Sequence, residues 1–225
     1  MKKLLCGIIC ASAAVVLADA PTATVSTVDV IEIDSGLKNT VVAVPGLDLS
    51  GGTLVISNLV KTTGLTAGDT LYAFDNGKYE SWVLEDGHWA HAAQRHTISS
   101  TGAVENASTP ASMQEMAVGR GIWLNRQDTS KPFYVYAAHV ESPSTEVTAG
   151  TTVLLGNPSI TNAVPRISGA QTGDQILIPT SKFTSKYQYN GSAFVGLKGN
   201  LPAIVKGTGF WYKAVSDGST RTITW

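Results

Sequence analysis

Gly119-Arg120-Gly121-Ile122-Trp123-Leu124-Asn125 returns later in the chain as Gly207-Thr208-Gly209-Phe210-Trp211-Tyr212-Lys213, and this doubled phrase decides the architecture. The echo runs upstream in the same order. Thr66-Ala67-Gly68-Asp69-Thr70-Leu71 is answered by Gln171-Thr172-Gly173-Asp174-Gln175-Ile176, and Lys78-Tyr79 by Lys186-Tyr187. Val41-Val42-Ala43-Val44-Pro45 is answered by Leu154-Leu155-Gly156-Asn157-Pro158. Matches that keep their order mark a duplicated module of about one small domain per copy. The echo repeats turn chemistry and residues of buried type. It repeats no nucleophile, acid–base pair or metal-ligand set.

Outward from the phrase, short β-type runs are bounded by Gly, Asp, Asn, Ser and Thr, with hardly any helical periodicity. In copy one the expected strands are Thr24–Asp34, Thr40–Val44, Thr53–Ser57, Thr70–Phe74, Tyr79–Leu84, Ile122–Asn125 and Phe133–Ala137. In copy two they are Thr152–Gly156, Gln175–Ile178, Lys186–Tyr189, Ala193–Val195, Gly209–Lys213 and Thr220–Trp225. Asp75-Asn76-Gly77 and Asn190-Gly191 signal hairpins, because Asn and Gly accept the positive φ of tight turns. One short helix is conceivable over Pro110–Met116, capped by Thr109, with Pro110 at its first position. The fold class is therefore all-β, with two tandem related domains, each a β-sandwich or small barrel. Residues 1–18 read as a signal peptide and 19–141 as the first domain, with a long polar loop near 94–108. Residues 142–146 (around Ser142-Pro143-Ser144-Thr145) read as a linker, and 147–225 as the second domain.

Copy two, from Gly156-Asn157-Pro158 through Gly173-Asp174 and Tyr187-Gln188-Tyr189 to Gly207-Thr208-Gly209-Phe210-Trp211, resembles a recurring module of secreted bacterial proteins. Copy one is similar more loosely and has Val44-Pro45 where the module has Asn-Pro. The resemblance implies a secreted all-β protein, often duplicated, and brings no activity and no functional residue with it.

Lys2 and Lys3 precede a run of apolar and small residues from Leu4 to Leu17, the pattern of an export signal too short to span a bilayer. Cleavage after Ala18 avoids placing the rigid ring of Pro21 just behind the cut, whereas cleavage after Ala20 fits the small-x-small rule. Both cysteines, Cys6 and Cys10, fall in the signal, and neither follows a small residue as a lipid-modified cysteine would. The exported chain would then rely on its core without disulfides, which a chain of this size can do. Of 16 basic residues two leave with the signal, so 14 remain against 17 acidic ones. Without basic runs, this composition supports neither nucleic-acid binding nor a polybasic membrane patch.

The Gly-x-Gly-aromatic-Trp phrase lacks the third glycine of a dinucleotide fingerprint, since Leu124 and Tyr212 stand in that place. It reads as a glycine turn feeding a strand whose Trp fills the core, and the competing reading turns that Trp outward as a sugar-stacking platform. Trp82 and Trp89 lie among Asp75, Asn76, Glu80, Glu85 and Asp86, so a carbohydrate site, if any, is expected at Trp82, Trp89, Asp75, Glu80 and Glu85 in copy one. His88, His91 and His96 crowd nearby, but a strand would turn successive members to opposite faces, against metal binding. No cofactor is expected.

Asp69 and Asp174 recur after glycine and read as turn caps; a catalytic pair, one from each copy, is the alternative. Ser35-Gly36-Leu37-Lys38 matches one penicillin-site motif by letter, yet its companion motifs and any Gly-x-Ser-x-Gly are missing. Counting back from Trp225 by twos gives Ile223, Arg221, Ser219 and Asp217, a face too polar for an outer-membrane barrel. The function expected is an exported, noncatalytic structural or interaction protein of the envelope or extracellular space. Its class alternative is a carbohydrate-binding protein, and its partners would be glycans or its own copies through sheet edges.

Overall fold

The structure, a computed structural model, describes residues 28–33, 36, 38–47, 54–55, 64–75, 78–91, 97–98, 104–105, 115–180 and 184–225. The expected signal segment, His96 and most of the stretch expected to be helical lie outside these residues. Copy one contains β1 (Val28–Ile33), β2 (Asn39–Ala43), β3 (Leu54–Val55), β4 (Thr70–Asp75), β5 (Lys78–Glu85) and β6 (His88–His91). It continues with β7 (Thr97–Ile98), β8 (Val104–Glu105), β9 (Glu115–Met116), β10 (Gly121–Asn125) and β11 (Phe133–Ala138). Copy two contains β12 (Ser144–Thr148), β13 (Thr152–Gly156), β14 (Arg166–Ser168), β15 (Gln175–Pro179) and β16 (Thr184–Tyr189). It closes with β17 (Phe194–Gly196), β18 (Gly199–Asn200), β19 (Gly209–Lys213) and β20 (Thr220–Thr224).

Among the described residues there is no helix, and Glu115–Met116, the end of the expected one, is strand β9 paired with β3. β7 and β8 pair with each other inside the stretch expected as a polar loop. Each copy is a two-layer, sandwich-type unit of open antiparallel sheets. Copy one stacks the two strands β1-β11 against the five-stranded order β2-β10-β4-β5-β6. Copy two stacks β12-β20-β14 against β13-β19-β15-β16-β17-β18. Period-2 alternation explains the layering: in β1, Asp29, Ile31 and Ile33 point inward while Val28, Val30 and Glu32 face out.

The same alternation recovers a strand that composition hides. Ser144–Thr148 was expected to be mostly linker, yet Thr145 and Val147 are buried and Ser144, Glu146 and Thr148 exposed, so the chain pairs with β20 from Ser144 onward. Only residues 139–143 connect the last strand of copy one to the first of copy two.

Registers define which residues of the two copies correspond. Gly121 pairs with Ala43 as Gly209 pairs with Gly156, and Trp123 pairs with Tyr72 as Trp211 pairs with Leu177. Thr70 pairs with Val83 as Gln175 pairs with Gln188. Tyr187 is thereby the counterpart of Trp82, and Thr184 that of Tyr79, so the Lys-Tyr echo in the sequence is out of register. The Val44-for-Asn157 departure has a local cause. Asn157 is fully buried, donating from Nδ2 to the carbonyls of Thr161 and Ile204 and accepting from Ser159 N–H, whereas Val44 joins the apolar core of its copy.

The two copies meet at the doubled phrase. Ala43 N–H donates to Gly207 O at 2.8 Å, and its counterpart Gly156 N–H donates to Gly119 O at 2.9 Å. The isolated bridges Val42–Thr208 and Arg120–Leu155 correspond in the same way. The joint is therefore a pseudo-twofold contact, an isologous interface within one chain. Its glycines are required by proximity. A Cβ on Gly209 would press on Val41 Cγ1 of the other copy at 2.6 Å as well as on Leu155 O of its own, and one on Gly156 would run into Ala43 Cα and Cβ across the joint. Gly119 and Gly207 also hold φ of +80° and +70°, a region disfavoured for side chains, and this aims their carbonyls across the joint.

Candidate functional site

The aromatics expected to bind sugar are core residues. Trp82 is 2% exposed and Trp89 3% exposed, inside the cluster with Ile31, Leu71, Ile122 and Phe133, so their faces are closed to a ligand. Their counterparts Tyr187 and Phe194 fill the same place in copy two. Glu80 is exposed and Glu85 half-buried on β5, while the side chain of Asp75, at the end of β4, lies outside the described residues. The expected cluster of two indoles and three carboxylates is not assembled as a surface. His88 and His91 stand on β6 opposite Glu85 and Trp82. Among the described residues no group of three His, Cys, Asp or Glu could hold a metal ion.

The repeated aspartates do more than cap turns. Asp69 is fully buried and accepts from Thr66 N–H (2.9 Å) and Gln127 N–H (2.6 Å), tying the turn before β4 to the segment after β10. Asp174 does the same through Gln171 N–H (3.0 Å) and Val215 N–H (2.8 Å). It then gains Tyr212 Oη at 2.6 Å and a two-point pair with Arg221, Nε to Oδ2 and Nη2 to Oδ1, each 3.0 Å. Burial pushes the Asp174 carboxyl up. Arg221, Tyr212 and the backbone donors outweigh it and hold the group below the usual carboxylate range. The Tyr212 hydroxyl is pushed up, first by burial and then by its bond to Asp174. Arg221 extends the network to Asp217 (2.6 Å), whose carboxyl is held down mainly by that guanidinium. Both aspartates are enclosed in their own copies, so neither presents a free carboxylate to a substrate.

Copy one places its buried arginine elsewhere. Arg126, on the segment after β10, donates from Nη2 to Gly64 O (2.9 Å) and Lys131 O (2.5 Å), and its guanidinium lies over Phe133 at 5.2 Å. The counterpart of Tyr212 is Leu124, which offers Asp69 no hydroxyl.

The tryptophans of the phrase are not the core residues expected. In β10 and β19 it is Ile122, Leu124, Phe210 and Tyr212 that are buried, while Trp123 and Trp211 are half-buried on the opposite face, the one turned toward the other copy. Trp211 is closed in by rings of copy one. Phe74 meets it edge-on at 4.9 Å, Tyr79 at 6.1 Å, and Phe74 and Tyr79 meet each other at 4.9 Å. The counterparts of those rings are Pro179 and Thr184, and among the described residues no ring contact is made to Trp123. Instead Trp123 lines a cleft of about 510 Å³ between the copies, with Val41, Asn39 and Thr40 on one side and Ile178, Pro179 and Pro202 on the other. The signal that locates this cleft is the register of the two copies, not the phrase itself.

No protein-family model, curated protein or solved structure matches this chain. At the other end of the chain, Trp225 packs on Phe210 (5.9 Å), and Ile223 and Arg221 are fully buried, so the polar-aromatic alternation of β20 faces the interior of an open sandwich.

Proposed function

We propose that the protein is an exported, noncatalytic structural or interaction component of the cell envelope or extracellular space. The observation that carries this reading is where the duplicated chemistry goes. The paired aspartates are locked into their own copies, and the paired glycines join the copies into one body. Residues that both copies share act in architecture, and one place where the copies differ is the cleft beside Trp123.

Export is supported by Lys2-Lys3 and the apolar run to Leu17, ahead of an acidic-leaning chain without cysteine. The described residues fold into open sandwiches whose cores are closed by side chains, which fits a chain that works in water once its leader is removed. Self-association belongs to the same reading. The large sheets end in β6 and β18 away from the joint, and strand ends of this kind are where further copies would pair.

Mass measurement of the protein recovered outside the cytoplasm tests this directly. A chain beginning at Asp19 or Pro21 is expected, and an intact Met1 end on all of the protein would contradict export. Turnover of any of a panel of chromogenic glycoside, ester and peptide substrates by the pure protein would contradict the noncatalytic part.

A further inference from the structure

From the unequal filling of the two sides of the joint, we infer that the Trp123 cleft is a binding site for a sugar ring with an apolar face. The strands flanking the joint and the bonds across it correspond register by register, so each side presents an indole in the same place. On the Trp211 side, Phe74 and Tyr79 occupy the space beside it. On the Trp123 side their counterparts are Pro179 and Thr184, and the space is a cleft of about 510 Å³. This volume falls in the range of small-ligand sites, roughly 300–1,000 Å³.

The lining selects the ligand class. Trp123 supplies one broad aromatic face, and Ile178, Pro179 and Pro202 supply aliphatic walls, together a surface for the C–H face of a pyranose. Around it stand Asn39, Thr40, Thr180 and Thr208, side chains that donate and accept in the manner of sugar hydroxyls. Asn125 Nδ2 donates to Asn39 Oδ1 at 2.6 Å, which fixes the amide and leaves its NH₂ as a donor. Among the described residues the charged lining side chain is Lys38 and no carboxylate lines the cleft, which disfavours a metal ion or a cationic ligand. A single indole, rather than a row of parallel rings, fits one sugar ring better than a proline-rich peptide.

This assignment rests on the interaction-protein reading and names its ligand. Failure of sugar binding would leave export and the structural role standing, and failure of export would leave the cleft standing.

The test is affinity electrophoresis of the purified chain in gels containing hydroxyethylcellulose, xylan, dextran, mannan or soluble chitin fragments, followed by calorimetry with oligosaccharides of the retarding polymer. Retardation by at least one polymer is expected. Trp123→Ala should then lose about tenfold or more in affinity, as removal of an aromatic anchor does. Trp123→Phe, which keeps a ring, should lose less. The decisive variant is Pro179→Phe with Thr184→Tyr, which copies the filled side onto the open one. It should abolish binding without lowering the melting temperature. Absence of retardation by every polymer, or affinity unchanged in Trp123→Ala and in the ring-filled variant, would overturn the assignment.

Discussion

One side of the joint between the copies is closed and the other is open, although the same backbone builds both. The cross-copy bonds from Ala43 and Gly156 measure 2.8 and 2.9 Å, and the turn bonds Val44 N–H to Arg120 O and Asn157 N–H to Thr208 O both measure 2.8 Å. Hydrogen bonding therefore does not distinguish the sides. Two side chains do, Phe74 and Tyr79 against Pro179 and Thr184. A duplicated fold can hold its frame constant and let a few residues on one face decide whether that face is packed or available. The buried polar clusters repeat the lesson. Asp69 is held by two backbone donors, and Asp174 by two backbone donors, a tyrosine and an arginine.

The largest effect should come from breaking that second contrast. Arg221→Met leaves the Asp174 carboxylate buried without its cation, and a loss of about 3–5 kcal/mol is expected in chemical denaturation. Arg126→Met removes bonds to carbonyls and a ring contact but strands no carboxylate, so its loss should be smaller, about 1–3 kcal/mol. Equal losses would erase the distinction between the two clusters.

Next in size is the joint. Gly209→Ala drives a Cβ into Val41 Cγ1 of the other copy and Leu155 O of its own and should cost about 3 kcal/mol, the upper range of overpacking. Gly218→Ala, with φ of +79° but no atom within 4 Å of its Cβ, should cost only about 1–2 kcal/mol through backbone strain. Calorimetry on both variants separates close approach from conformational strain.

Trp211→Ala and Trp123→Ala come third. The first removes the largest ring of a three-ring cluster, for about 2–3 kcal/mol, and the second opens a cleft that is already open, for about 1 kcal/mol. The reverse order would contradict the filled-versus-open account.

The smallest effect is a pH dependence. Asp174 has a lowered folded value, so its contribution is fully present above the unfolded value of about 3.9 and is lost as the pH falls through the folded value below it. The deficit of Asp174→Asn relative to the wild type should be constant from about pH 7 to 5 and shrink below about pH 4. A deficit that grows on acidification would reverse the sign of this interaction.

Much of the frame was legible in the sequence because alternation and turn residues act locally. Thr152–Gly156 and Gly209–Lys213 match their strands residue for residue, and Asn190 caps its hairpin by accepting from Ser192 and Ala193 N–H. β12 was hidden because Ser-Pro-Ser-Thr is loop composition, and only the burial of Thr145 and Val147 against β20 makes it a strand. The tryptophans were misplaced for a different reason. On a strand buried on both faces, periodicity does not tell core from joint, and Trp123 stands between Ile122 and Leu124, which are equally apolar. Trp82 and Trp89 looked like a surface cluster because carboxylates flank them, yet alternation carries the indoles inward. In the local sequence the glycines read as turn formers. Their closeness to the other copy is a long-range fact that no local pattern encodes.

Amide hydrogen exchange at Ala43 and Gly156 decides whether the doubled phrase joins the two copies. Their N–H groups donate to Gly207 and Gly119 of the opposite copy. Both amides should exchange as slowly as those of Ile122 and Phe210 in the central strands, and both should be exposed together in Gly209→Ala. Exchange of either amide at the rate of an open loop in the wild-type protein would contradict the joint.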